Sequence, residues 1–426
     1  MDMVLFVTGA VALMLIGLPI SFSLGLSSIA YMIWSGIPPV SFVQHLSKGV
    51  NSYTLLALPF FILAGQLMNH GGITAKIFRF TNALTGHIRG GLAHANVFAA
   101  MIFAGISGSA VAEAGALGTV QLKAMKENGY AQSFSVGLIA GSMTIGPIIP
   151  PSIIMVVYGI AASVPIGSLF IGGIIPGGLM GLGMMLTVVI AAAWQDLPRY
   201  HSAFAIRELY DSFVDAFLAL VAPGLVIGGI LTGAYTATEA GAVVAAYAFV
   251  VGMFYYRELT FQHVFDALIE TMLLSSTILL IMGMSNSFAW VLAFEQAPAH
   301  VAQWLLGISR DPTTITLLLM GLYLILGCFM EAVAIVVMTI PIILPVIRQV
   351  GIDPVHFGVI LAVNLSLGTI TPPLGIVMYV LCDLAGISVN QFTRYVAPFF
   401  AMLLVVLLVI TLWPATVTFL PRYFGT

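Results

Sequence analysis

Charge is what this sequence has least of. Asp, Glu, Lys and Arg together make up 7% of its 426 residues, against roughly 25% in a soluble domain. A net charge of -3 with no basic tail excludes a nucleic-acid partner, because phosphate binding needs clustered Lys and Arg. Cysteine is nearly absent. Cys328 and Cys382 both lie in apolar runs, which leaves no disulfide framework and no thiolate metal site. No His-Glu-x-x-His pair occurs, so a zinc hydrolase lacks its ligands. The amino terminus has no basic stretch ahead of its apolar run, so it reads as a retained first span and not as a cleaved signal.

Apolar runs are abundant. Hydrophobic residues form 60% of the chain, and mean hydropathy is +1.11. Many runs approach the ~20 residues that cross a bilayer as a helix, so the chain is expected to be an all-α polytopic membrane protein. Spans are expected at 3–34 (one span kinked near Pro19, or two short ones), 53–69, 133–164, 168–194, 213–232, 237–256, 268–294, 356–382 and 395–420. Two segments, 91–123 and 313–347, have polar or glycine-marked centres, GISGSA and GCFMEA. Each half is too short to span, which predicts helical hairpins that enter the membrane and return. Such backbone is tolerated only against protein or a watery cavity.

Two expected spans are broken. GPIIPPSIIM places Pro147, Pro150 and Pro151 inside one, and GTITPPLGIV places Pro372 and Pro373 inside the other. An interior proline costs about 3 kcal/mol, so each break must serve something. A shift of 222 residues superposes Gly105 on Gly327, Gly129 on Gly351, Gly146 on Gly368, both Pro–Pro pairs, and Pro176 on Pro398. Broken segments at matching places in two halves point to a secondary transporter's site. The halves run 1–194 and 233–426, joined by a loop and linking span at 195–232. Lys76, Arg79, Arg89, Lys123 and Lys126 flank the first hairpin and place its ends in the cytoplasm. The same count makes 195–212 and the Arg257 loop cytoplasmic and the second hairpin's flanks external, so the second half is an inverted repeat of the first.

Backbone carbonyls and hydroxyls are the hard oxygen donors that alkali cations take. One cation site is therefore expected where the first tip meets the first break, from Gly105, Ser107, Ser109, Thr144, Gly146 and Pro147. Another is expected from Gly327, Ser366, Gly368, Thr369 and Thr371. Half-helices beginning near Ser109, Ser152 and Leu374 would turn positive dipole ends toward an anion. Among the acids, Glu331 lies at a hairpin tip, where a carboxylate needs a function or a partner. Glu239 follows Thr236 as in a capping box, and Glu113 falls one turn past the first tip.

GISGSAVAEAGALG, GPIIPPSIIMVVYG, YTATEAGAVVAAYA and NLSLGTITPPLGIVMYV, in this order, resemble the large membrane subunit of TRAP transporters, and the resemblance covers the whole chain. It implies an elevator-type, sodium-driven importer of an organic acid anion in the bacterial inner membrane. The anion would be sialic acid, a sugar acid or a C4-dicarboxylate. It also implies two or more transported sodium ions, a small four-span membrane subunit and a periplasmic substrate-binding protein. Carried onto this sequence, the first sodium site takes Ser107, Ser109 and backbone near Gly146; the second takes Gly327 and Gly368 to Thr371. Ser109, Ser152, Glu331 and Asn364 are the candidates for the substrate region. Two other readings compete: a stand-alone sodium–dicarboxylate symporter, and an intramembrane serine protease that uses the GISG serine, Ser107.

Overall fold

The computed structural model describes residues 3–194, 197–199, 204–373 and 375–425. Among these residues all regular structure is helical. The chain opens with α1 (Met3–Leu15) and α2 (Ile20–Trp34). Phe6 and Tyr31 pack together, tilted, with ring centroids 5.3 Å apart, whereas a continuous helix at ~1.5 Å per residue would separate them by nearly 40 Å. Residues 3–34 are thus a tight helical hairpin and not one kinked span. Gly17, at φ +98°, and Pro19 make the reversal.

Next come α3 (Val40–Val50), a short 3₁₀ turn, α4 (Ala57–His70) and α5 (Ile73–Thr85). The expected span at 53–69 is the second limb of an element bent by 56° from α3. In α3, the His45 carbonyl accepts from Asn286 Nδ2 at 2.6 Å. The first hairpin is α6 (Gly91–Ser107) and α7 (Ala110–Glu127), and the first broken span is α8 (Gln132–Met143) and α9 (Ile153–Ala162). Then follow α10 (Ile166–Trp194), α11 (Ile206–Leu231), α12 (Ala237–Val250, ending in a π turn) and the long α13 (Phe261–Phe294). The second hairpin, α15 (Pro312–Gly327) and α16 (Ala332–Gln349), comes after α14 (Ala297–Ile308). The second broken span is α17 (Pro354–Gly368) and α18 (Ile376–Ala385), and the chain closes with α19 (Val389–Leu412) and α20 (Ala415–Phe424). The single span expected at 395–420 instead ends at Leu412, where Trp413 leaves helical geometry at φ -122°, ψ 81° ahead of Pro414. Among the described residues six helices are long and apolar enough to cross a membrane, seven if the bent α3–α4 element is one span. One of the six is α16, with 18 residues, so that arm is longer than a half-span.

Polar contacts at the helix ends fix the directions. Gly90 N–H and the Tyr130 hydroxyl both donate to the Pro198 carbonyl, each at 3.1 Å. The first hairpin therefore starts and finishes at one level. Arg79 pairs with Glu208 at 2.9 Å and Asp215 at 2.5 Å, and Lys76 with Glu258 at 2.5 Å, so the start of α11 and the Arg257 loop share that level. Of the 195–212 loop, 195, 196 and 200–203 lie outside the described residues.

At the start of α8, Gln132 Nε2 donates to the Ala385 carbonyl at the end of α18, at 2.6 Å. Near the end of α9, the Tyr158 hydroxyl donates to the Pro354 carbonyl at the start of α17, at 2.7 Å. Arg348 also donates to the Ala162 carbonyl there, at 3.2 Å. The two broken spans therefore run in opposite directions. Both Pro–Pro bonds, Pro150–Pro151 and Pro372–Pro373, are cis.

Outward faces remain apolar, with Leu182, Phe217, Leu273 and Val405 all exposed. Trp34, Trp194 and Trp413 are exposed at helix ends, where the interfacial region of a bilayer favours an indole.

Candidate cation and substrate site

Both breaks are packed against the hairpin tips. The tip of the first hairpin turns at Gly108, at φ +61°, a conformation that glycine adopts without a Cβ penalty. A Cβ at Gly108 would lie 2.3 Å from the Pro151 carbonyl oxygen, and one at Gly105 would lie 2.8 Å from the Pro223 ring. In the second half a Cβ on Gly368 would lie 2.7 Å from the carbonyl carbon and oxygen of Gly327. Glycines here let backbone meet backbone, so each tip seats on its break.

The breaks are partly rewound. Thr144, Ile145 and Gly146 N–H groups bond three residues back, and so do those of Thr369, Ile370 and Thr371. No hydrogen bond among the described residues reaches the carbonyls of Thr144, Gly146 or Gly327. The helix ends at these points, those of α6, α8, α15 and α17, bring partial negative charge. Hydroxyl protons are already committed: Thr144 donates to Gly141 O at 2.7 Å, Ser366 to Val363 O at 2.8 Å, Thr369 to Ser366 O at 2.6 Å, and Thr371 to Leu367 O at 2.7 Å. Their oxygen lone pairs remain for a cation.

A cavity of about 500 Å³ lies between the two junctions. Ser107, Ser109 and Pro147 line it from the first half, and Gly327, Glu331 and Thr369 from the second. Gly105, Thr144, Gly146, Ser366, Gly368 and Thr371 are not among its lining residues. Further polar lining comes from α4 (Gln66, Asn69), from Ser21 of α2 and from Thr277 of α13. Sequence reasoning did not find these lining residues; Gln66 and Asn69, three residues apart at the end of the largely apolar α4, were the available signal.

Glu331 is exposed to the cavity and accepts from Ala334 N–H at 3.2 Å, so it both caps α16 and faces the space. Two expected substrate contacts lie elsewhere. Ser152 is 1% exposed; it accepts from Met155 N–H at 3.2 Å and donates to the Pro147 carbonyl, so its hydroxyl closes the break. Asn364 is fully buried, and its Nδ2 donates to the Met320 carbonyl at 2.7 Å, tying α17 to α15. Leu374 lies outside the described residues; the second half-helix begins at Ile376.

Ser107 Oγ donates to Glu113 Oε1 at 3.0 Å. A serine nucleophile needs a base in hydrogen-bond reach, and its partner here is a carboxylate. His356, the buried histidine of α17, is held by the Ile410 carbonyl at 2.9 Å. Glu239 and Thr236 form the expected capping box, with Thr236 N–H donating to Glu239 Oε2 at 2.7 Å. These arrangements belong to a multi-pass helical membrane protein.

Comparison with known proteins gives the family. Residues 7–416 match the model for the tripartite ATP-independent periplasmic transporter, DctM component. The chain belongs to this family and is the large permease subunit of a TRAP transporter, a multi-pass protein of the bacterial inner membrane. It is 39% identical to the sialic acid TRAP transporter large permease protein SiaM of Vibrio cholerae, over 98% of this chain and 97% of that protein. It is likewise 39% identical to the C4-dicarboxylate TRAP transporter large permease protein DctM of Pseudomonas aeruginosa, over 95% and 94%. The sialic acid TRAP transporter permease protein SiaT of Haemophilus influenzae is 37% identical, over 96% of this chain and 67% of that protein. The crystal structure of the Alcanivorax borkumensis YdaH transporter shares the fold, with a TM-score of 0.63 at 16% identity over 97% of this chain and 98% of that one.

Proposed function

We propose that this permease imports an organic acid anion, driven by sodium ions held at the two tip–break junctions, with both hairpins and both broken spans moving together as an elevator. A periplasmic binding protein delivers the anion, and a small four-span membrane subunit braces the scaffold. One observation carries the reading: the cavity is lined by residues of both junctions together with residues of α2, α4 and α13. A substrate seated there touches both groups of helices at once, so sliding of the first group past the second would carry it across.

Among the described lining residues Glu331 is the only ionisable one. No arginine or lysine is among that described lining, so the positive charge the anion requires would come from helix amino termini and from bound cations. This supports cation coupling. Relatives named for sialic acid and for C4-dicarboxylate are equally identical to this chain, so both are substrates to test.

Uptake into proteoliposomes under an inward sodium gradient, with and without binding protein, tests the reading. Accumulation that requires both sodium and binding protein is the expected result. Sodium-driven uptake without any binding protein would identify a stand-alone symporter.

A further inference from the structure

We propose that Glu113 is the anionic ligand of the cation site at the first tip and break, which makes that site the tighter of the two. The inference rests on the sodium-coupled reading above and adds to it a residue and an asymmetry.

Glu113 is fully buried, one turn into α7. Its Oε1 accepts from Ser107 Oγ at 3.0 Å, while Oε2 is buried and has no hydrogen-bond partner. No ion pair among the described residues involves it. A buried carboxylate without a counter-charge is too costly to persist; it either takes up a proton or binds a cation, and Oε2 is the atom open to either. The carboxylate also faces the right place. A Cβ on Gly146 would lie 2.4 Å from Oε1 and 3.1 Å from Oε2, so the acid lies directly on the break. The unbonded Thr144 and Gly146 carbonyls are on that same break. Carboxylate, carbonyls and the Ser107 hydroxyl together form an all-oxygen set suited to a hard cation and poor for a soft one.

The second half has no counterpart. In the 222-residue register Glu113 falls on Ile335, and Glu331 falls on Ser109. Glu331 is exposed to the cavity, whereas Gly327 and Gly368 meet with no side chain between them. The second site is therefore built of neutral oxygens and helix ends, and the first holds a full fixed charge. The first site fills at lower sodium.

Equilibrium binding of radioactive sodium to the purified full chain tests this. Wild type is expected to show two phases. Glu113→Gln keeps an acceptor for Ser107 but removes the charge, and is expected to weaken the tighter phase at least tenfold while leaving the weaker one. Glu113→Ala should behave like Glu113→Gln. A purely structural hydrogen bond predicts that Glu113→Gln matches wild type, and an unchanged tight phase in that variant overturns the proposal.

On wild-type protein, carbodiimide labelling of Glu113, located by peptide mass spectrometry, should be suppressed by sodium and not by choline. Labelling indifferent to sodium overturns the proposal without need of a variant. Wild type that binds no sodium at all overturns both this inference and the sodium-coupled reading. A binding wild type with an unaltered Glu113→Gln isotherm overturns only the role of Glu113.

Discussion

Gly368→Ala places one methyl group at the tightest point of the second junction. Its carbon would lie 2.7 Å from Gly327 C and O, where ordinary contact begins at 3.4 Å. Both neighbours are backbone, so no side chain can swing away; the tip must retreat by about 0.7 Å or the break must distort. Metal–oxygen distances tolerate only about 0.2 Å, so the retreat disassembles a site built from these carbonyls. Overpacking of this kind costs about 1–3 kcal/mol, and every ~1.4 kcal/mol is tenfold in affinity. Half-saturating sodium is expected to rise roughly 5- to 100-fold, read as the sodium dependence of thermal stability and of uptake. Gly321→Ala on α15 is the control, since nothing lies within 4 Å of its Cβ, and it should leave the sodium midpoint unchanged. A Gly368→Ala protein with the wild-type midpoint would refute the packing of tip on break as the source of the second site.

Three further outcomes are expected. Ser107→Ala removes a cavity-lining hydroxyl and the donor that Glu113 receives, so the sodium concentration for half-maximal uptake should rise several-fold; an unchanged value would leave that serine a packing role. Glu331→Gln should impair uptake more than Glu239→Gln, because Glu331 faces the cavity while Glu239 caps α12 at an exposed end; measured uptake rates in the reverse order would mean the functional acid is misplaced. Arg79→Ala breaks two ion pairs whose members are all about half exposed, so it should cost no more than about 1 kcal/mol in thermal stability, with the loss shrinking at high salt. A loss of several kcal/mol would mean that this contact anchors α5 far more strongly than exposed pairs do.

Breaks and tips were legible because proline and glycine act locally: a missing donor or a missing Cβ has its effect at its own position. Pro150–Pro151, Pro372–Pro373, Gly108 and the glycine pairs at 105/327 and 146/368 carried that information directly. Side-chain direction was not legible in the same way. Ser152 and Asn364 sit among apolar residues just as Ser107 does, but helical phase turns them inward, to the Pro147 and Met320 carbonyls. Gln66 and Asn69 belong to the site only because α4 helps to line it, a tertiary fact. The reversal between α1 and α2 looks in sequence like a proline kink. It is recognisable only when Phe6 is found against Tyr31. The closing turn at Trp413 is hidden for the same reason, in a run that is apolar on both sides.

Charge accounting across the cavity connects these pieces. A monoanionic substrate beside Glu331 puts two negative charges into a space with no basic side chain among its described lining. Helix amino termini each offer about half a positive charge. Those of α7, α9 and α18 begin at Ala110, Ile153 and Ile376 near this space, whereas that of α16 is already capped by Glu331. On the sodium-coupled proposal, the deficit that the dipoles leave is the charge a bound cation would supply. If the first cation is neutralised by Glu113, it adds nothing to this balance, and the cation at the uncharged second junction is the one that compensates the substrate. Substrate and second cation then stabilise each other across a few ångströms of low-dielectric space, where such attraction is strong. Binding of either favours the other by the same factor. A dianion raises the deficit by a full charge, so the same cavity needs an additional cation or proton to carry it. Discrimination between a monocarboxylate such as sialic acid and a C4-dicarboxylate can thus be set by charge stoichiometry inside the membrane, with the shape of the cavity as a secondary filter.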